Sequence, residues 1–294
     1  MFKNLGLVIL VLISFSCAHK TLNIPVGEED RLTFNQFTKV ELKEPVLLRL
    51  KGIQGSSETT KFNSASKTEV FEGSSLTNTI EESIEFMSKA EITKILASDE
   101  FTEKVTTFKK DGQIDLHDFA MPEVGEELAI TFNSMGKILK VNNLPRESLY
   151  YVPPVSLPKE KVSIGDTWNM SAHWVTEQGV PLSLSLLSIL KGFIECGKKE
   201  ICADIELSGD VTIDSNMAGV IFQSIWKGRI FFSLERGSLI WSLVESHEAW
   251  NTEKAHRDVR SCLESNLVEP NDYHFWKNEN HKCAIPSLEK AAQD

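Results

Sequence analysis

The sequence predicts an all-β fold, mainly antiparallel, and three stretches carry that prediction. Residues 220–237, VIFQSIWKGRIFFSLERG, set Val220, Phe222, Trp226, Ile230, Phe232 and Leu234 at one parity and Gln223, Lys227, Arg229, Ser233 and Glu235 at the other. One buried face and one wet face is the pattern of an antiparallel strand. Residues 127–143, ELAITFNSMGKILKVNN, read as two arms around Asn133-Ser134-Met135-Gly136, where glycine can take the positive φ of a tight turn. Residues 150–169 hold Pro153, Pro154 and Pro158, which cannot donate to a ladder, so a stiff connector is expected between two β sub-domains.

The remaining elements follow in order. From Pro45 short β-like runs appear at 46–52, 67–73 and 103–108, bounded by turn-forming residues. Residues 79–97 are ambiguous. Apolar residues at even positions fit strands, whereas Ile80, Ile84 and Met87 also fit a helix; the neighbouring runs favour strands. An uninterrupted strand over 220–234 would run roughly 50 Å, so a bulge or bend is expected near Gly228. Residues 238–250 follow Arg236-Gly237 and complete a long hairpin. A Pro…Gly-acidic turn at 122–128 and another at 158–166 suit two halves built alike. Residues 253–265 are expected as a short C-terminal helix and the rest as a disulfide-bonded tail. The architecture expected is a curled meander, sandwich or half-barrel. Its divisions are 1–16, 17–44 as a tether, 45–152, 153–251 and a tail at 252–294.

The N-terminus sets location. Lys3 precedes an apolar run from Leu5 to Phe15. Eleven residues are too few to span a bilayer, which needs about 20, but suffice for an export signal. Ser16-Cys17 after that run resembles the signal of bacterial lipoproteins, in which the chain is cut before a lipid-bearing cysteine. Ser14 and Phe15 depart from the usual Leu and small residue of that signal. The resemblance implies a mature protein starting at Cys17, held in the cell envelope by lipid, with the outer membrane favoured. A plain secretory signal is the alternative.

Composition narrows the partners. The net charge is −11, and loss of residues 1–16 removes one cation, Lys3, leaving −12. Such a surface repels phosphate, which argues against nucleic-acid binding. Of five cysteines, Cys17 belongs to the signal and Cys196, Cys202, Cys262 and Cys283 remain to pair in an oxidising compartment. Three pairings are open; the local one joins Cys196 to Cys202 and Cys262 to Cys283. Cys262, His274, His281 and Cys283 are the set nearest to a metal site, but their spacing matches no common zinc pattern, and no metal or cofactor is expected.

Catalytic signatures are missing: no Gly-x-Ser-x-Gly, no His-Glu-x-x-His, no Gly-rich phosphate loop. His117 in DLHDF and His247 in ESHEAW stand beside acids, yet neighbours on a strand point to opposite faces, so both are read as surface histidines. Gly165-Asp166-Thr167-Trp168 is read as a tight turn, an Asp satisfying its own backbone, and a Trp anchoring the core beside Met170 and Trp174.

The runs FNSMGKILKV, LPKEKVSIGDTW and WKGRIFFSLERGSLIWS resemble a family of uncharacterised bacterial secreted proteins and lipoproteins with a Val-x-x-Gly-Asp-x-Trp turn, over residues 120–250. That resemblance implies a β-rich envelope domain and brings no catalytic residues. The functional expectation is a non-enzymatic binding or carrier module for an apolar ligand or partner protein, with a structural or assembly lipoprotein as the alternative.

Overall fold

The structure is a computed structural model and describes residues 37–97, 99–177, 179–197, 200–213, 221–252, 255–269 and 283. Its strands are β1 (Ser57–Glu72), β2 (Ser75–Ala97), β3 (Glu100–Asp111), β4 (Glu127–Asn133), β5 (Ile138–Val141), β6 (Thr167–Val175), β7 (Pro181–Gly197), β8 (Glu200–Ile213), β9 (Ile221–Ser233), β10 (Ser238–Asn251) and β11 (Ala255–Glu269). All are antiparallel to their neighbours in one sheet of order β5-β4-β3-β2-β1-β11-β10-β9-β8-β7-β6. The chain therefore draws two meanders, β1–β5 and β6–β11, and β11 stitches the second to the first through β1.

Such a sheet laid flat would hold its edges roughly 48 Å apart, with ten spacings of about 4.8 Å. Here both edges reach one short stretch of the connector. The Val141 N–H of β5 donates to the Tyr151 hydroxyl at 3.2 Å, and the Val175 N–H of β6 donates to the Glu147 carbonyl at 2.7 Å. Glu147 and Tyr151 lie within about 14 Å of each other along even a fully extended chain. The sheet must curl to bring its edges together, and the connector closes the seam.

The curl defines an inner face. Leu50 packs against the cluster that holds Leu190, Phe193, Ile205 and Ile230 of β7–β9 and also against the one that holds Ile92, Phe101 and Ile130 of β2–β4. These walls are far apart along the sheet, so a residue touching both lies on its concave side. Four apolar clusters occupy that side. A fifth, around Phe231, Trp241, Leu243 and Cys262, lies on the outer side, against Phe37 and Cys283.

One end of the curl is closed by residues 37–55. Glu195 N–H donates to Thr38 O and Val40 N–H to Phe193 O, each at 2.9 Å; Leu50 N–H donates to Ser134 O at 2.7 Å and Lys51 N–H to Gly237 O at 3.1 Å. Leu48 is fully buried beneath this strap. The run at 46–52 is thus not a strand. It spreads its backbone hydrogen bonds over the ends of several strands, with an isolated bridge to Val162. The Arg49 guanidinium ties it to the carbonyls of Pro158 and Lys159 in the connector.

Several expectations need correction. The helix expected at 253–265 is strand β11, the central strand of the sheet, so the segment 252–294 supplies more than a tail. Its alternation was masked because both faces of β11 carry polar residues: Arg257, Ser261 and Ser265 inward, Asp258, Arg260 and Glu264 outward. Residues 79–97 fall within one 23-residue strand, β2. Gly228 makes no bulge; β9 pairs in register through it on both sides. A Cβ at 228 would stand 3.0 Å from the Leu243 carbonyl and 3.1 Å from Val244 Cγ2, so the glycine serves close approach of β9 to β10. The register shift lies instead at Leu239/Trp241 on β10.

Candidate functional site

The inner face of β9, β10, β11 and β1 is built from cross-strand rows. Pairing sets Ile230, Ser242, Ser265 and Phe62 in one row, Gly228, Val244, Leu263 and Ser64 in the next, then Trp226, Ser246, Ser261 and Ser66. Towards the rim away from the strap come Ser224, Glu248, Val259 and Thr68, and finally Phe222, Trp250, Arg257 and Val70. The serines hydrogen-bond in pairs across strands: Ser242 with Ser265 and Ser246 with Ser261, each at 2.6 Å. A floor of small, mutually paired hydroxyls is thus flanked by apolar walls. One wall holds Met170, Leu184, Leu186 and Trp226. The other holds Ile84 and Phe86, with Phe62 stacked on Phe86 at 4.6 Å.

Burial on β10 and β11 is deepest at part of the outer face. The outward residues Trp241, Leu243, Ala249, Cys262 and Glu264 are buried. The inward Val244, Ser246, Glu248, Ser261 and Leu263 all keep accessible surface. A filled barrel buries its inner face at native packing density. On β10 and β11 the inner face keeps surface, while Ser64, Thr68 and Ser224 in the same rows are buried.

Part of the rim is roofed by the β3–β4 loop, which turns inward and buries Leu116 against Ile84 and Phe86. Its 3-10 turn, Leu116–Phe119, is capped by Asp115. His117 here contacts Asp115 through Nδ1 at 2.8 Å and Glu126 through Nε2 at 2.9 Å, with Tyr150 of the connector edge-on. Burial works against its charge, but the two carboxylates outweigh it and raise the His117 pKa. A neutral imidazole has one N–H and could satisfy only one of them. The flanking acid does touch His117, because the residue lies in a turn and not on a strand.

Three inward carboxyls of this face are raised by burial. Glu248 is raised by burial, which Arg257 and a hydrogen bond with Trp250 partly offset. Glu58, near the strap, is raised by burial despite a hydrogen bond from Ser238 and the charge of Arg236. Glu103 is pushed up to about 7, first by burial and then by Glu58; the surface it retains faces the curl, between Phe101 and Val105. Its folded pKa lies above its unfolded value of 4.5. The folded state therefore holds the extra proton between about pH 4.5 and pH 7, and stability falls as pH rises through that window. Glu103→Gln should be more stable than the parent by about 2–3 kcal/mol at pH 8 and nearly equal at pH 4. Urea melts at the two pH values check this; an equal difference at both would remove the titration.

The residues singled out from sequence fall in several places. Cys196–Cys202 and Cys262–Cys283 are disulfides, each with Cα atoms 5.7 Å apart. Both border the outer cluster, away from the inner face. Gly165 takes φ +90°, Asp166 accepts the Ser163 N–H at 2.7 Å, and the Trp168 indole donates to Ser156 O at 2.7 Å, which pins the connector to β6. Half-buried Trp168 and Trp174, with buried Met170, face inward. His247 points outward and meets Asp258 across the strand pair at 2.7 Å, with Arg260 beyond. Cys17, His274 and His281 lie outside the described residues. Sequence reasoning missed Glu58, Glu103, Glu248 and Arg257, because a charged residue at an inward position reads as a break in alternation unless the register is known.

No family matches the chain, and no curated protein matches it. Solved structures give distant likenesses. A lipovitellin, in a structure concerned with its lipid–protein interactions, is 12% identical over 74% of this chain, with a TM-score of 0.44; the chain spans 25% of its length. An outer-membrane channel from Pseudomonas putida F1 is 9% identical over 78% of this chain and 100% of its own, with a TM-score of 0.22. Ail, the attachment invasion locus protein of Yersinia pestis, is 7% identical over 73% and 99%, with a TM-score of 0.17. None is similar enough to carry an activity over.

Proposed function

We propose that this protein is a non-catalytic binding or carrier module of the bacterial cell envelope, tethered by lipid on Cys17, that holds an apolar ligand in its curled sheet. One observation carries the reading: on β10 and β11 the inward Val244, Ser246, Glu248, Ser261 and Leu263 keep accessible surface while the outward Trp241, Leu243, Ala249, Cys262 and Glu264 are buried. An accessible concave face with apolar walls is the form of an apolar ligand site. The disulfides fit an oxidising compartment. The short apolar run before Ser16-Cys17 supports export and lipidation, and the outer membrane is the favoured site.

Mass spectrometry of the native protein, extracted from its own membrane, tests the reading directly. It should show acyl mass on Cys17 and a retained apolar molecule that leaves on denaturation. Recovery of only the bare polypeptide from gentle extraction would argue for the structural alternative. Cys17→Ser should shift the protein from the membrane to the soluble envelope fraction without changing its melting temperature. Membrane association that survives this substitution would refute the anchor.

A further inference from the structure

We propose that Arg257, with Trp250 and Phe222, forms the head-group end of the site, so that the ligand is an amphiphile with an acyl chain and a single anionic head. This rests on the reading of the inner face as a ligand surface. Arg257 lies in the outermost row of that face, paired between Trp250 on β10 and Val70 on β1. It is exposed, and no carboxylate of the described residues lies within ion-pair distance of it. Lys110, the other inward cation at this rim, is held by Glu123 at 2.7 Å.

The apolar setting gives Arg257 its meaning. Trp250 packs on Phe222 with ring centroids 4.3 Å apart, a platform at the boundary between the inner face and water. Aromatic side chains suit such a boundary because one end is apolar and the other polar. Deeper rows offer Val259, then Leu263 and Val244, then the closing strap at Leu50 and Leu48. An acyl chain laid along them exchanges water-exposed CH₂ groups for protein contact at about 0.8 kcal/mol each. The head then stops at the rim, where a guanidinium can grip a carboxylate or phosphate through two parallel N–H donors. Glu248 lies inward in the next row; burial raises its pKa, and the Arg257 charge partly offsets that rise.

The full chain can be tested with two brominated probes of equal length, dibromostearate and the matching neutral dibromo-alcohol. Bromine quenches tryptophan at contact, and Trp226 and Trp250 report from the inner face. The stearate should bind about tenfold more tightly than the alcohol, the worth of a charge-assisted hydrogen bond. Arg257→Gln should remove that preference while the alcohol still binds, and Arg257→Lys should retain most of it. Acetate in excess should not displace the probe. Equal affinity of the two probes for the parent protein, or a preference that survives Arg257→Gln, would overturn the head-group assignment while leaving the apolar site standing. Displacement by acetate would reduce the site to a bare anion contact and overturn the amphiphile. Failure of both probes to quench would overturn the apolar site and this inference with it.

Discussion

A chain ended after Asn251 should not fold at all. By sequence alone the residues from Thr252 onward read as a short helix and a disulfide-bonded tail, and reduction of Cys262–Cys283 would be expected to loosen them while the β domain persists. In the fold, β11 pairs with β1 from Thr60 to Glu72 and with β10 from Trp241 to Asn251. It is the strand through which the meander of β1–β5 is hydrogen-bonded to that of β6–β10. Its removal would leave β1 and β10 as two long unpaired edges, which invite aggregation. The truncated chain is expected to give no cooperative thermal transition and to precipitate. A milder form of the test uses hydrogen exchange on the intact protein with and without reductant. The amides of 255–269 should stay protected as strongly as those of β10 after the disulfide opens. Rapid exchange there, with β10 still protected, would show that the two meanders hold together without their stitch.

The second large effect is expected at Trp241. Its side chain is fully buried on the outer side of β10, 5.0 Å from the Phe231 ring, with Phe37 edge-on to Phe231 at 5.1 Å. The indole N–H donates to Glu264 Oε1 at 3.0 Å. Trp241→Ala opens a cavity and strips a buried carboxyl of one of its donors, for a cost of about 4–5 kcal/mol. Trp241→Phe keeps most of the volume and should cost about 1–2 kcal/mol. Glu264 is already raised by burial, an effect the indole partly offsets. Without the indole its pKa rises further, so the cost of Trp241→Phe should be larger at pH 8 than at pH 4, where the carboxyl is protonated in either protein. Denaturant melts at both pH values measure the difference. A cost that does not change with pH would mean that the hydrogen bond adds nothing beyond packing.

Strand β9 and its hairpin partner β10 could be recognised in the sequence because their periods are local. On β9 Phe222, Trp226, Ile230 and Phe232 share one parity and Gln223, Lys227 and Arg229 the other, and the turn at Arg236-Gly237 marks where the chain reverses. The Pro-rich connector and the Gly165-Asp166 turn were legible for the same reason: proline removes donors and glycine admits positive φ whatever the surroundings. The all-β class, the antiparallel hairpins and the local cysteine pairing are consequences of neighbours in sequence.

Contacts between distant residues decided the rest. β11 has polar residues on both faces, so alternation could not distinguish it from a helix; its conformation comes from β1, nearly two hundred residues earlier, and β10. The closing of the curl depends on Tyr151 and Glu147 meeting the two edge strands, and the sealing of one end depends on Leu50 touching walls from opposite meanders. The candidate site follows from the same curvature. Arg257 and Glu248 become inward-facing, and Ser246 and Ser261 become a floor, only once the register of four strands is set, because a shift of one residue would send each of them to the other face.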